Sequence, residues 1–223
     1  MQGKLIVIEG SDGSGKTTQV ELLRSYLEKH NRPHILFDFP RYSDSFHAKI
    51  VAKYLSGEFG EATSVNPYLA SLAYALDRMG AREDIYYALN DGKIILTNRY
   101  VPSNKAHQGA KLPTKKRKGF FEWLDELEYK VNKVPREDVV IFLYVPTKVS
   151  FELAKKRERS FTNGKPDGHE SNQKYQQEVE KTYLQLSKGK DWVKINCVED
   201  DNLRTKEDIH QEILKVLKKK KIL

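Results

Sequence analysis

The chain has 223 residues, 39% of them hydrophobic and 31% charged, with a formal net charge of +8 at neutral pH. That composition excludes a disordered or fibrous chain and suffices for one α/β domain with a real core. The longest apolar runs, Ile94-Ile95-Leu96 and Val139–Leu143, are far too short to span a bilayer, and a lone Cys197 excludes an internal disulfide.

The first element is a strand over Lys4–Glu9. It leads into Gly10-Ser11-Asp12-Gly13-Ser14-Gly15-Lys16-Thr17, which is G-x-x-x-x-G-K-[ST] in full, and then into a helix over Thr17–His30. The glycines let backbone N–H groups turn inward on a phosphate at a helix N-terminus, where the dipole favours an anion. In that motif Lys16 reaches the β- and γ-phosphates and the Thr17 hydroxyl holds Mg²⁺. Further strands are predicted at His34–Asp38, Lys93–Thr97, Val139–Val145 and Val193–Asn196. Helices are predicted over Ser45–Leu55, Pro67–Asn90, Phe120–Val131, Lys148–Arg159, Ser171–Lys188 and Lys206–Lys219. Strands that alternate with helices and are apolar on both faces give an α/β fold, a five-stranded parallel sheet wrapped by helices. The whole of 1–223 reads as one domain.

The basic surplus sits in two places, Lys111–Lys118 and Lys218–Lys221. The second reads as a solvated helix end whose cations suit the dipole, so no nucleic-acid partner is expected. The polar, breaker-rich stretch Ser160–Gly168 is either an idle surface connection or a mobile lid. Met1-Gln2-Gly3-Lys4 runs straight into the first strand, leaving no room for a signal peptide, so a cytoplasmic, membrane-free protein is expected. Cys197 reads as a small buried hydrophobe.

Ligands of open parallel sheets lie at the carboxyl ends of the strands. There the chain carries Phe39-Pro40-Arg41-Tyr42 and Asn98-Arg99-Tyr100-Val101-Pro102-Ser103-Asn104, and within the predicted third helix Tyr74-Ala75-Leu76-Asp77-Arg78. Tyr74 and Arg78, four apart, share a helix face, an aromatic ring to stack on a base beside a guanidinium to bond its edge. Arginines at strand ends suit a second anion in line with the γ-phosphate.

In these blocks, and in Gly10 to Thr18, the chain resembles thymidylate kinase in a bacterial form, over nearly its whole length. The resemblance implies the P-loop nucleoside-monophosphate kinase fold, a homodimer, and transfer of the ATP γ-phosphoryl group to dTMP with Mg²⁺. It implies an ATP loop of Gly10, Ser11, Asp12, Gly13, Ser14, Gly15, Lys16, Thr17 and Thr18. It implies a dTMP site in which Tyr74 stacks on thymine, Arg78 with Asn104 or Gln108 reads its edge, and Arg41 and Arg99 hold the phosphate. Asp12 and Tyr42 then lie near the sugar 3′-hydroxyl, with Phe39 and Ser103 in the same blocks and His107 where an aromatic disfavours a 2′-hydroxyl. Read as an isolated residue, His107 is an ordinary surface histidine. No arginine stands among the variable loop positions, so the resemblance is to members that supply catalytic cations from a lid. Here that lid spans about 157–170, with Arg157, Arg159 and Lys165 as candidates, or else a solvated basic helix end. Lys16, Asp12, Arg99, Arg157 and Arg159 are thus the catalytic candidates, and Thr17, Asp12 and Glu170 the metal candidates. Asp167, His169 and Glu170 would anchor the lid or touch the magnesium waters.

One position departs from the family. Its third strand usually ends in Asp-Arg-Tyr, and here the first residue is Asn98. An asparagine accepts a hydrogen bond from a metal-bound water but adds no charge, a gap that Asp12 or Glu170 would fill. Other readings are another deoxynucleotide or deoxynucleoside kinase, a nucleotide-gated regulatory protein, and a basic nucleic-acid-binding ATPase. A nucleoside acceptor would want a carboxylate base near the attacking hydroxyl after the second strand, where Arg41 stands, and a regulatory protein of the GTPase type a guanine-reading Asn-Lys-x-Asp, which the chain lacks.

Overall fold

The computed structural model describes residues 2–150, 172–200 and 202–223. Five strands, β1 (Lys4–Gly10), β2 (His34–Asp38), β3 (Ile94–Asn98), β4 (Val139–Tyr144) and β5 (Trp192–Asn196), form one parallel sheet in the order β2-β3-β1-β4-β5. Their ends fall within one residue of those read from the sequence. β1 is central, with Ile6 in register with Leu96 on one side and Val139 on the other.

Alternate residues of each strand face opposite layers. Ile6, Ile8, Leu96, Ile141 and Leu143 pack on one side against α1 (Lys16–Lys29), through Val20, Leu23 and Leu27. On the same side lies the last helix, Lys206–Lys219, through Ile209, Ile213, Leu214 and Leu217. Leu5, Val7, Ile95 and Val140 pack on the other side against Ile85, Ala88, Tyr100 and Val101. Both layers are apolar because both are covered. The last helix is also well capped: Thr205 accepts from the Asp208 N–H, with Glu207 and Asp208 in its first turn and Lys218 and Lys219 in its last.

The helices depart from expectation in four ways. The segment Pro67–Asn90 is two helices, α3 (Pro67–Gly80) and α4 (Arg82–Asn90), broken at Ala81. The chain after β3 forms α5 (Val101–Gly109), which shows no apolar stripe because most of its buried residues are polar or small: Ser103, Asn104, Ala106, Gln108 and Gly109. The next helix, α6 (Thr114–Asp125), begins within the basic run and passes into a π-helical turn, Glu126–Val131. Then β5 is followed by a small hairpin, β6 (Val198–Glu199) and β7 (Asn202–Leu203). The helix expected over Ser171–Lys188 is α7 (Gln173–Leu186), and α8 is Lys206–Lys219. The expected helix Lys148–Arg159 falls mostly outside the described residues.

The basic run is only partly solvated. Arg117 is buried, donating to Leu112 O at 3.1 Å and ion-paired with Glu178 of α7. Lys111 reaches the carbonyls of Ala62 and Val65 and the Tyr54 hydroxyl, and burial pushes its ammonium down to about 7.

Cys197 is fully buried, and burial pushes its thiol up to about 12. The native protein is therefore expected to leave DTNB unreacted at about pH 8, and to titrate one thiol once unfolded in urea. Rapid native labelling would contradict this packing.

Candidate active site

The loop Gly10–Lys16 closes β1 at the carboxyl edge of the sheet. Gly15 stands in the left-handed region (φ 89°) ahead of α1, and no side chain caps that helix. Its first N–H groups are thus left for an anion. Lys16 is buried and curls across the loop, donating to Gly10 O at 3.1 Å and Ser11 O at 2.8 Å. Thr17 and Thr18 are exposed at the loop mouth. Gly10 is needed for a steric reason: a Cβ there would stand 2.8 Å from Leu143 O and 2.4 Å from Ser14 Oγ.

Facing the loop is a cleft lined by Asp12, Phe39, Tyr42, Tyr74, Arg78, Arg99, Ser103, Asn104, His107 and Gln108, together with Pro40, Leu55 and Tyr100. It gathers residues from the segments that follow β1, β2 and β3 and from α2 (Phe46–Leu55), α3 and α5. One expected residue lies apart. Arg41 is tied to Asp77, with its N–H and Nε 3.0 and 3.2 Å from the carboxylate oxygens and Nη2 2.9 Å from Asp77 O, and it lines the adjoining groove. Arg157, Arg159, Lys165, Asp167, His169 and Glu170 fall outside the described residues.

Arg99 joins loop to cleft. It is ion-paired with Asp12, and its Nη1 lies 3.4 Å from Ser103 Oγ and 3.2 Å from His107 Nε2. A guanidinium only donates, so Nε2 accepts, and the His107 proton belongs on Nδ1, 3.5 Å from Tyr175 Oη. Burial on its own would lower the Arg99 pKa, but Asp12, Tyr183 and Glu9 raise it, so the guanidinium is firmly charged. Its backbone is left-handed (φ 65°), unusual for a non-glycine residue, and its N–H is held by Ile8 O at 3.1 Å.

The far end of the cleft is polar and buried. Arg78 is ion-paired with Glu128 of the π-helical turn; both are almost fully buried. Burial lowers the Arg78 pKa and the Glu128 carboxylate more than restores it, leaving it raised. Asn104 Oδ1 and both amide atoms of Gln108 are buried without a hydrogen-bond partner. Tyr74 meets Tyr54 edge-on at 6.3 Å.

Three functional carboxylates escaped the sequence reading. Glu9, fully buried, accepts from the N–H groups of Tyr100 and Ser103, from Ser103 Oγ and from Tyr183 Oη. Asp38 ends β2 in register with Asn98. Burial raises the Asp38 carboxyl, while Arg99, Asn98 and Lys16 pull it down. Glu128 is the third. Asp38 and Glu9 both stood at the ends of predicted strands, though no local pattern pointed to their partners.

A divalent cation fits this edge of the sheet. Asn98 Oδ1 is buried with no partner, Asp38 lies beside it, and the Thr17 hydroxyl is at the loop mouth. Asp12, expected to compensate for Asn98, is engaged by Arg99. Among the described residues no group of three or more His, Cys, Asp or Glu forms a metal site by itself, so such an ion depends on nucleotide phosphates for much of its coordination.

A phosphate loop at the edge of a 2-3-1-4-5 parallel sheet, opposed by a cleft with a buried polar end, defines a P-loop nucleoside-monophosphate kinase. The family model described as thymidylate kinase matches residues 8–213, and the chain belongs to that family. It is 31% identical over 183 residues to the thymidylate kinase of Mycobacterium tuberculosis, covering 82% of this chain and 85% of the relative. A probable thymidylate kinase of Pyrococcus abyssi is 28% identical over 221 residues, 98% of this chain and 97% of the relative. The fold is also that of a solved thymidylate kinase from Candida albicans, with a TM-score of 0.78 and 22% identity over 99% of this chain and 93% of the other.

Gly10 and Gly15, both at positive φ, differ in the steric room a side chain would find. Gly10→Ala is expected to cost about 3 kcal/mol by overpacking against backbone and Ser14. Gly15→Ala, whose Cβ would meet nothing within 4 Å, is expected to cost about 1 kcal/mol for its positive φ. Urea unfolding of both variants checks this; equal losses would contradict the loop geometry.

Proposed function

We propose that the protein transfers the γ-phosphoryl group of ATP to a phosphate oxygen of dTMP, giving dTDP and ADP. The observation that carries this reading is Arg99, which touches the P-loop through Asp12 and the acceptor cleft through Ser103 and His107. A donor anion on one side of that guanidinium and an acceptor anion on the other would lie close enough to react.

The acceptor phosphate has a second pKa near 6, so at neutral pH it is mostly ionised and needs no general base. The bond between the β,γ-bridging oxygen and the γ-phosphorus breaks as the dTMP oxygen bonds to that phosphorus. The chain contributes positioning and charge. Lys16 leaves the loop carbonyls for the β- and γ-phosphates, joined by the N–H groups that open α1. Arg99 holds the dTMP phosphate, with Arg41 joining it on release from Asp77. Tyr74 stacks on the base; Arg78, Asn104 and Gln108 bond its edge; Tyr42 and His107 flank the sugar. Arg157 and Arg159 complete the charge on the transferring group in this reading.

Mg²⁺, when bound, would offset the negative charge of the nucleotide phosphates. Thr17 would hold it directly, with Asn98, Asp38, Asp12 and Glu170 bonding its waters. A homodimer belongs to the same reading: Leu69 is 65% exposed, and with Tyr68 and Leu72 it gives α3 an uncovered apolar face. No described helix is long and apolar enough to cross a membrane, and a cytoplasmic site of action fits a supply of ATP.

Coupled ADP release with ATP, Mg²⁺ and dTMP, dUMP, dCMP, dGMP or thymidine tests the proposal. The strongest turnover is expected with dTMP; ATP binding without turnover of any monophosphate would refute it. Lys16→Met is expected to lower kcat about 100-fold or more while leaving dTMP affinity, by calorimetry, within about threefold of wild type.

A further inference from the structure

The polar end of the cleft presents its hydrogen-bonding groups in a fixed order, set by one carboxylate outside the cleft lining together with the Ser71 carbonyl. Asn104 directs Nδ2 at Ser71 O, 3.1 Å away, and at Glu128 Oε1, 3.5 Å away. Both of those atoms only accept. Turning the amide over would set Oδ1 against two oxygens, so Asn104 keeps its acceptor, Oδ1, for the cleft, where that atom is buried and has no partner. Arg78 bonds the same carboxylate through Nε, 3.1 and 3.2 Å from its two oxygens, and through Nη2. Nη1 is then the donor left for the cleft, which Arg78 lines. One carboxylate thus aims Arg78 and, with the Ser71 carbonyl, Asn104.

We infer that Glu128 is the positioning residue that makes this site select a thymine or uracil edge over a cytosine edge. The inference rests on reading the cleft as a pyrimidine-nucleotide site. An acceptor beside a donor matches the N3–H and O4 of thymine. Cytosine reverses both positions, offering a bare N3 and an N4 amine, so it would set acceptor against acceptor and donor against donor. A site built to bond one pattern rejects the reverse strongly, because its buried groups are left unpaired.

Glu128 reaches this position through the π-helical turn Glu126–Val131. There the Asn132 N–H bonds Leu127 O at 2.8 Å, one residue further back than in an α-helix, and Val134 N–H bonds Glu128 O at 3.0 Å. Such turns are frequent at functional sites. The side chain is fully buried, and its hydrogen-bond partners among the described residues are the Arg78 guanidinium and the Asn104 amide, both donors. A glutamine in its place brings an NH₂ group, which permits Asn104 to turn over and removes the charge that aims Arg78.

The test is equilibrium binding of dTMP and dCMP, measured by calorimetry on wild type and Glu128→Gln, with ATP affinity as the control. Wild type is expected to prefer dTMP by about 100-fold or more, and the variant by less than about 10-fold, with ATP affinity within about twofold. A role confined to stability would weaken both monophosphates alike; an unchanged ratio, or no preference in wild type, overturns the inference. If Glu128→Gln does not fold, the Asn104 side-chain amide protons of wild type are followed by NMR. They are expected to exchange slowly and to keep their shifts on adding dTMP, and a large shift would show NH₂ facing the base and overturn the inference. Binding without turnover, by contrast, would refute the kinase reading and leave this one standing.

Discussion

The buried carboxylate of Glu9 is the constraint on which the site depends. It sits on β1 directly before the phosphate loop, and accepts four hydrogen bonds from residues 91 to 174 positions away, all between 2.6 and 3.0 Å. Two come from the N–H groups of Tyr100 and Ser103, at the start of α5, so the carboxylate acts on that helix as a cap from outside it. A third comes from Ser103 Oγ, which itself lies near Arg99, and the fourth from Tyr183 of α7. The strand that carries the donor loop is thereby tied to the helices that line the acceptor cleft. A polar group buried this deeply is tolerated because all four hydrogen bonds have donors and Arg99 lies near.

The same logic recurs around the cleft. Each cation has an anion or carbonyl that holds it in place: Arg99 has Asp12, Arg78 has Glu128, Arg41 has Asp77, and Lys16 has the loop carbonyls. For Arg78 the partner, Glu128, is fully buried. For Arg99 the partner, Asp12, lines the cleft, and in the proposed reaction phosphates would compete with Asp12 for Arg99 and with the loop carbonyls for Lys16. Fixed pairs aim and exchangeable pairs bind, a division consistent with transferring a phosphoryl group without a proton acceptor.

Much of this was legible in the sequence. The phosphate loop was, because its glycines and lysine stand at fixed spacing, and so were the strands, whose apolar runs report two covered faces. Most of the cleft-lining residues were identified through family resemblance rather than periodicity. What escaped has a common cause. Helix α5 buries Ser103, Asn104 and Gln108 instead of an apolar stripe, so its period was invisible. Glu9 and Glu128 are single acidic residues whose partners lie far along the chain, and no local pattern marks them. Arg41 looked free for a phosphate because Asp77, which engages it, stands 36 residues later. Asp38 shows how a carboxylate absent from the end of β3 stands instead at the neighbouring strand end, a relation that only sheet register reveals.

The most direct test of this account is Glu9→Gln, which keeps the shape of the side chain and sets an NH₂ group against donors. If the carboxylate fastens the acceptor cleft to the phosphate loop, urea unfolding loses about 2 kcal/mol and KM for dTMP rises about tenfold or more, with ATP affinity within about twofold of wild type. An unchanged KM for dTMP in a destabilised variant would contradict it, leaving Glu9 a support of the core alone.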